Sequence, residues 1–298
     1  MKMTLGTLLE EGKERLEKAG VPDPLLDARF LLLDVFDMNF ASFLVKRDRP
    51  LTETENGTNV TEADTDTRKK IDKYWELISK REMRIPLQQI TGVQEFMGLE
   101  FYVNEHVLIP RQDTETLVEL ILNEHKEKNI SLLDVCTGSG CIAVSLAKLG
   151  GYADVTALDL SEEALKVAKS NGEKLLDHPV KFIKSDMFSA LDPENCYDVI
   201  VSNPPYIPSQ VIEGLEPEVK DHEPRMALDG EPDGLKFYRI LAEEGIKYLK
   251  NGGEIYMEIG WDQAKDVTKI FETMGFKGLR TVRDMTGNDR VVCARKEK

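Results

Sequence analysis

From residue 131 onward, short apolar runs rich in β-branched residues alternate with longer amphipathic stretches. Candidate strands lie at 132–136, 155–158, 180–183, 198–202, 254–259, 278–282 and 291–294, with helical patterns at 162–174, 235–249 and 263–274 between them. Parallel neighbours need long crossover connections, usually helical, so the alternation predicts a mostly parallel sheet with helices on both faces. Such sheets bind ligands beyond the carboxyl ends of their strands. The chemistry is therefore sought there.

The first strand end reads Asp134-Val135-Cys136-Thr137-Gly138-Ser139-Gly140-Cys141. Glycines in a strand-to-helix turn let a ligand approach the backbone, and the next helix offers free N–H groups; a plain tight turn is the alternative. The dinucleotide pattern G-x-G-x-x-G is met only in its variant ending in alanine, at Ala143. The second strand ends at Asp159, 21 residues beyond Gly138. A carboxylate there can accept hydrogen bonds from ribose hydroxyls, or can cap the helix that starts near Ser161. After the third strand, Asp186 is placed to take an adenine amino group, with Met187 and Phe188 packing on the ring. A polar cap is again the alternative.

The fourth strand end differs in kind. Asn203, Pro204, Pro205 and Tyr206 directly follow the candidate strand 198–202. Prolines fix φ and remove donors, leaving carbonyl acceptors beside the Asn203 side chain. Acceptors and an aromatic ring together suit a planar –NH₂ group.

Upstream, the chain has another character. A helix capped by Thr4 carries Leu5, Leu8, Leu9 and Leu16 and stops at Gly20. The run 25–33 predicts a more buried helix, and 68–84 a further one with Ile71, Trp75 and Ile78. Between them, 51–67 is almost wholly polar and predicts a mobile surface loop. Residues 1–85 thus form an expected small helical bundle, and 86–110 an expected linker with a β-hairpin around Gly98. A helix is expected over 113–125.

Net charge sharpens the division. The chain carries −15, of which residues 1–90 hold −2 and residues 91–298 hold −13. That distribution opposes binding through phosphate neutralisation. No run approaches the ~20 apolar residues of a membrane span, and the N-terminal stretch lacks a signal-peptide pattern. The four cysteines form no C-x-x-C pair and the four histidines are scattered, so no metal site is expected. A cytoplasmic monomer is the expectation.

Asn203-Pro204-Pro205-Tyr206 resembles the N-P-P-Y signature of S-adenosylmethionine-dependent methyltransferases acting on planar amide or amino nitrogens. Val107-Leu108-Ile109-Pro110-Arg111-Gln112-Asp113-Thr114-Glu115 is similar to the V-L-I-P-R-P-E-T-E motif of the release-factor glutamine N5-methyltransferases (HemK/PrmC type). The segments 223–230, 233–235, Glu258-Ile259-Gly260 and 287–291 resemble further motifs of that family, and the similarity runs from about residue 5 to 295. The resemblance implies a seven-stranded Rossmann-like methyltransferase domain over 111–298, with the helical bundle recognising substrate. It implies S-adenosyl-L-methionine as cofactor, released as S-adenosyl-L-homocysteine, held by Cys136, Thr137, Gly138, Ser139, Gly140, Asp159, Asp186, Met187 and Asn203. It implies the Gly-Gly-Gln glutamine of class I peptide-chain release factors as acceptor, with Asn203, Pro204, Pro205 and Tyr206 as catalytic residues and no stable nucleic-acid binding.

Two positions depart from the family pattern. Cys136 stands where a glycine is common, which is acceptable if the backbone there avoids a positive φ; Met187 replaces a tryptophan. The rival readings are a DNA or RNA amino-methyltransferase, an NAD-dependent oxidoreductase that leaves Asn203 to Tyr206 unexplained, and a non-catalytic binding module. Cys141 and Cys196 are expected in the core, and His222 at the surface. The stretch 213–223 is expected to be a solvated, mobile substrate-facing loop whose carboxylates need no catalytic role. Arg111 and Glu115 either line the cofactor pocket or tie the helix of 113–125 to the sheet.

Overall fold

The computed structural model describes residues 3–51 and 62–297. It divides into two compact units, Met1–Thr91 and Gly92–Lys298. The first contains α1 (Leu5–Lys18), α2 (Pro24–Val35), α3 (Phe40–Lys46), α4 (Glu62–Glu82) and α5 (Leu87–Thr91). Thr4 and Thr7 form a reciprocal capping box at the start of α1. Leu5, Leu8, Leu9 and Leu16 pack with Leu31, Leu32, Tyr74 and Ile78 as one core. Asp27 and Arg81 make a buried ion pair at 2.6 Å between α2 and α4.

Two expectations for this unit need correction. Helix α2 is not the more buried one. Leu25, Leu26 and Phe30 are exposed, because an apolar run around the whole helix has only one side to bury. Helix α4 starts six residues before position 68, so the end of the expected polar loop is helical. The remainder of that loop, 52–61, lies outside the described residues.

The second unit begins with a hairpin, β1 (Val93–Phe96) and β2 (Leu99–Tyr102), followed by α6 (Gln112–Glu124). Then come β3 (Ser131–Val135), α7 (Cys141–Ser145), β4 (Asp154–Asp159), α8 (Glu162–Leu175), β5 (Lys181–Lys184) and β6 (Tyr197–Ser202). Three single turns follow, α9 (Ser209–Ile212), α10 (Pro217–Lys220) and α11 (Arg225–Leu228). The chain closes with α12 (Lys236–Tyr248), β7 (Leu249–Glu258), α13 (Ala264–Thr273), β8 (Lys277–Arg283) and β9 (Asp289–Arg295). Every expected strand is present. The seven-stranded sheet has the order β5-β4-β3-β6-β7-β9-β8, and only β9 runs against the rest.

Strand side chains alternate between two cores. Leu132, Val199 and Val201 meet Leu117, Val118 and Ile121 of α6 on one face. Leu133, Val135 and Ile200 meet Leu241 of α12 and Phe271 of α13 on the other. The hairpin's Phe96 and Phe101 join the first core. Among the described residues no helix is long and apolar enough to cross a membrane, and no group of three or more His, Cys, Asp or Glu could hold a metal ion.

Candidate functional site

Strand order reverses between β3 and β6, since β4 and β5 lie to one side and β7 to the other. Such a switch point leaves a crevice where adjacent loops diverge. Ser202 Oγ donates to the Val135 carbonyl at 2.7 Å and ties the two strand ends together. The loops after β3, β4, β5 and β6 surround one cavity of about 420 Å³. Cys136, Thr137, Gly138, Ser139, Asp159, Asp186, Met187, Asn203 and Pro205 line it. Gly140, Pro204 and Tyr206 are not among its lining residues.

The turn after β3 is left-handed at three positions, with φ of +64° at Cys136, +55° at Gly138 and +79° at Gly140. The expectation that Cys136 avoids a positive φ is therefore wrong. The turn's shape is set by backbone bonds, Thr137 N to the Leu158 carbonyl and Gly140 N to the Thr137 carbonyl, both at 2.9 Å. Cys136 adopts the conformation at some strain. Gly140 is structural, because a Cβ there would press on Ala168. A Cβ at Gly138 would meet nothing within 4 Å, so this glycine opens the backbone to the cavity.

Asp159 holds the cradle in shape. One carboxylate oxygen accepts Gly138 N and the other accepts Ser161 N, each at 2.8 Å. Each oxygen keeps a second lone pair. Burial raises the Asp159 pKa, against the pull of these amides. Ser161 itself caps α8 through Ala164 N, so the alternative cap role belongs largely to its neighbour. Asp134 lies beneath the turn, fully buried, with Oδ2 accepting from Thr137 Oγ1 (2.6 Å) and Ala143 N (3.2 Å) and Oδ1 unpartnered. Burial pushes its pKa up to about 7.

Asp186 is exposed on the cavity wall, and Met187 is buried beside it with φ +49°. Cys136 Sγ lies 3.8 Å from Met187 Sδ, so the two departures from the family pattern touch each other. Phe188 does not face the cavity; it stacks on Tyr248 within the core at 5.2 Å. Phe237 supplies an aromatic wall instead. A carboxylate with spare lone pairs, an open glycine and the apolar Leu158, Leu160 and Met187 together fit a nucleoside-bearing group such as S-adenosylmethionine.

On the opposite side, Asn203 Nδ2 donates to Thr114 Oγ1 of α6 at 3.3 Å. The Tyr206 hydroxyl points to buried Glu258 at 3.4 Å, and burial with the nearby carboxylate raises its pKa. Gln263 grips the backbone here, donating to the Tyr206 carbonyl at 2.9 Å and accepting Gly260 N at 2.9 Å. Cβ atoms at Gly230 or Gly234 would collide with the Tyr206 backbone.

The stretch 213–223 is not a featureless solvated loop. It includes α10, and the Glu223 side chain is 1% exposed, paired with Arg111 at 2.6 Å and accepting Ile109 N at 3.1 Å. This pair fastens the segment after Tyr206 to the strand-like run before α6. Arg111 also lines the cavity, whereas Glu115 accepts Met97 N at 2.6 Å and holds the hairpin turn. Cys196 is exposed rather than in the core, and His222 is half-buried. Sequence reasoning assigned no role to Thr114, Asp134, Glu258 or Gln263. For two of them a signal existed: a carboxylate inside the apolar runs of β3 and β7.

A family pattern for a methyltransferase domain matches residues 126–288, and one for the PrmC N-terminal domain matches residues 7–58. A release factor glutamine methyltransferase of Fusobacterium nucleatum is 40% identical, covering 97% of this chain and 78% of the relative. Another from Clostridium botulinum is 38% identical over 99% of this chain and 100% of its own length. This chain belongs to the release factor glutamine methyltransferase family. The family's fold is shared with remoter structures. One is a methyltransferase from Pyrococcus furiosus (19% identity, TM-score 0.52, 74% of this chain and 100% of that one). Another is the catalytic domain of hMettl16 in complex with an RNA hairpin (17%, 0.56, 75% and 81%). Those two likenesses concern the fold alone.

Proposed function

We propose that this protein methylates the side-chain amide nitrogen of the glutamine in the Gly-Gly-Gln motif of class I peptide-chain release factors. The observation that carries this is the placement of Asn203 and Pro205 at the switch point, lining the same cavity as Gly138 and Asp159. Membership of the release factor glutamine methyltransferase family supports the acceptor.

An amide nitrogen is a weak nucleophile because its lone pair is shared with the carbonyl. S-adenosyl-L-methionine, when bound, supplies a methyl activated by its sulfonium and is released as S-adenosyl-L-homocysteine. The residues to hold it are Cys136, Thr137, Gly138, Ser139, Asp159, Asp186 and Met187, with Asn203 at the boundary. Asn203 Oδ1 and the Pro204 carbonyl accept the two glutamine N–H groups, orient the nitrogen and stabilise its developing positive charge. Tyr206 backs the amide plane. A methylated amide nitrogen would be acidic enough to give its proton to solvent. No strong general base is needed.

We further propose a monomer in the cytoplasm without stable nucleic-acid binding. The −13 carried by residues 91–298 supports the absence of nucleic-acid binding, since like charge repels bare phosphate backbones. The test is incubation with methyl-labelled S-adenosylmethionine and either a purified release factor or nucleic acid. Label in the release factor is expected. Label confined to nucleic acid would replace the proposal with the amino-methyltransferase reading.

A further inference from the structure

A turn built on two consecutive prolines has little with which to hold itself. Pro204 and Pro205 have no N–H to donate, and their rings fix φ at both positions. The turn is therefore stiff, and moving one end swings the other. Its working end is the Asn203 side chain with the Pro204 carbonyl, the two groups proposed to accept the substrate N–H groups. Where the Tyr206 peptide sits thus decides where the Pro204 carbonyl points.

Tyr206 is held from outside the turn. Gln263 Nε2 donates to the Tyr206 carbonyl at 2.9 Å and to the Gly234 carbonyl at 3.4 Å, while Gln263 Oε1 accepts Gly260 N at 2.9 Å. All three partners are main-chain groups with a single role, since an N–H only donates and a carbonyl only accepts. The orientation of the Gln263 amide is therefore fixed, with both hydrogens and the oxygen engaged. The Tyr206 hydroxyl reaches Glu258 only at 3.4 Å, so the carbonyl is the firmer anchor. The slot around the amide leaves no room for side chains. A Cβ at Gly234 would collide with the Tyr206 carbonyl oxygen and lie 2.7 Å from Gln263 Nε2, and one at Gly260 would lie 2.9 Å from Gln263 Oε1. The Gln263 main chain starts α13, accepting Val267 N at 3.0 Å, and Val267 and Phe271 seat that helix in the core shared with Leu133 and Ile200. The clamp thus ties the turn to a helix packed on the sheet.

We propose that Gln263 is a positioning residue: its amide fixes the Tyr206 peptide and, through the two stiff prolines, aims the Pro204 carbonyl at the substrate nitrogen. This rests on the proposed role of Asn203 and Pro204 as acceptors for a planar N–H group, but not on which molecule bears that group. Gln263 does not line the cavity, so it acts only through the turn it holds. Its loss slows methyl transfer and leaves cofactor binding intact, a separation that general damage to the fold does not produce.

The test reads the held carbonyl itself. Tyr206-Ile207 is the one Tyr-Ile pair in the chain. Tyrosine labelled at its carbonyl carbon and isoleucine labelled at nitrogen therefore give a single coupled magnetic-resonance signal in the full chain. Gln263→Met keeps the side-chain length and removes the amide, and an upfield shift of the Tyr206 carbonyl is expected. Gln263→Glu keeps an oxygen for Gly260 N but, above neutral pH, turns another against two carbonyls. The same shift is expected there, reverting in acid as the introduced carboxyl regains a proton to donate. Above neutral pH both variants are expected to lose about tenfold in kcat. S-adenosylmethionine affinity, measured by calorimetry, is expected to hold in both and so to report intact folding. An unshifted carbonyl in Gln263→Met would overturn the proposal, as would a shifted carbonyl with native kcat. The kcat ratio is taken on whichever of release factor and nucleic acid the native chain methylates. Failure with a release factor thus refutes the proposed function, while the carbonyl signal and the kcat ratio decide this inference.

Discussion

Cys136 shows how one residue can carry a backbone requirement against its own preference. Its φ of +64° lies in the region that glycine occupies without cost, and the bonds of the turn leave it no alternative. The side chain recovers part of that cost by packing against Met187 Sδ. Cys136→Gly is expected to change stability by no more than about 1 kcal/mol, because relief of strain and loss of packing oppose each other. Cys136→Val should cost about 2–3 kcal/mol, since a branched Cβ suits a left-handed conformation least. Denaturant titration checks both; equal effects of the two substitutions would contradict the strain. From the sequence, the turn was legible as a ligand loop, but not its φ angles. A hydrogen bond to Leu158 on the adjacent strand and one within the turn set those.

At the scale of elements, the segment between β6 and α12 deserves a separate account from the regular sheet. The strands were readable because short apolar runs rich in β-branched residues recur between stretches of helical period. The one-turn helices α9, α10 and α11 have no such period. Pro208, Pro217 and Pro224 start or precede them, and distant partners hold them. Glu223 meets Arg111 more than a hundred residues away, which no local pattern announces. The same segment folds Gly230 and Gly234 against the Tyr206 backbone, while Gln263 pins the Tyr206 carbonyl from the far side. Gly234 also has a φ of +71°. Gly234→Ala is therefore expected to displace Tyr206 and lower kcat by about tenfold or more, because catalysis by positioning tolerates little displacement. The cradle after β3 is untouched, so calorimetry should find cofactor affinity nearly unchanged. An unaltered kcat would show that the Tyr206 backbone position is not critical.

Across the whole molecule, two carboxyls buried in the sheet, Asp134 and Glu258, have their pKa pushed up to about 7 from 3.8 and 4.5. A carboxyl that binds its proton more tightly when folded adds stability below its unfolded pKa and loses it as pH rises through the folded value. Stability should therefore fall between about pH 4 and pH 8 on their account. Glu124, lowered by its hydrogen bonds to Arg280, and Asp284, held down to about 2 first by Thr286, act oppositely and weaken the fold in stronger acid. Asp134→Asn keeps an oxygen for Thr137 and Ala143, and its profile from pH 6 to 8 is expected to be flatter than the native one. Parallel profiles would remove Asp134 from the explanation. The sequence displayed Asp134 and Glu258 as charges within apolar strands; their burial depends on both faces of the sheet being covered. The central claim concerns the acceptor atom, and peptide mapping by mass spectrometry after a reaction with a class I release factor tests it most directly. One methyl group on the side-chain amide of the Gly-Gly-Gln glutamine, absent with Asn203→Ala, is the expected result; an unmodified glutamine, or a methyl group at another residue, would contradict it.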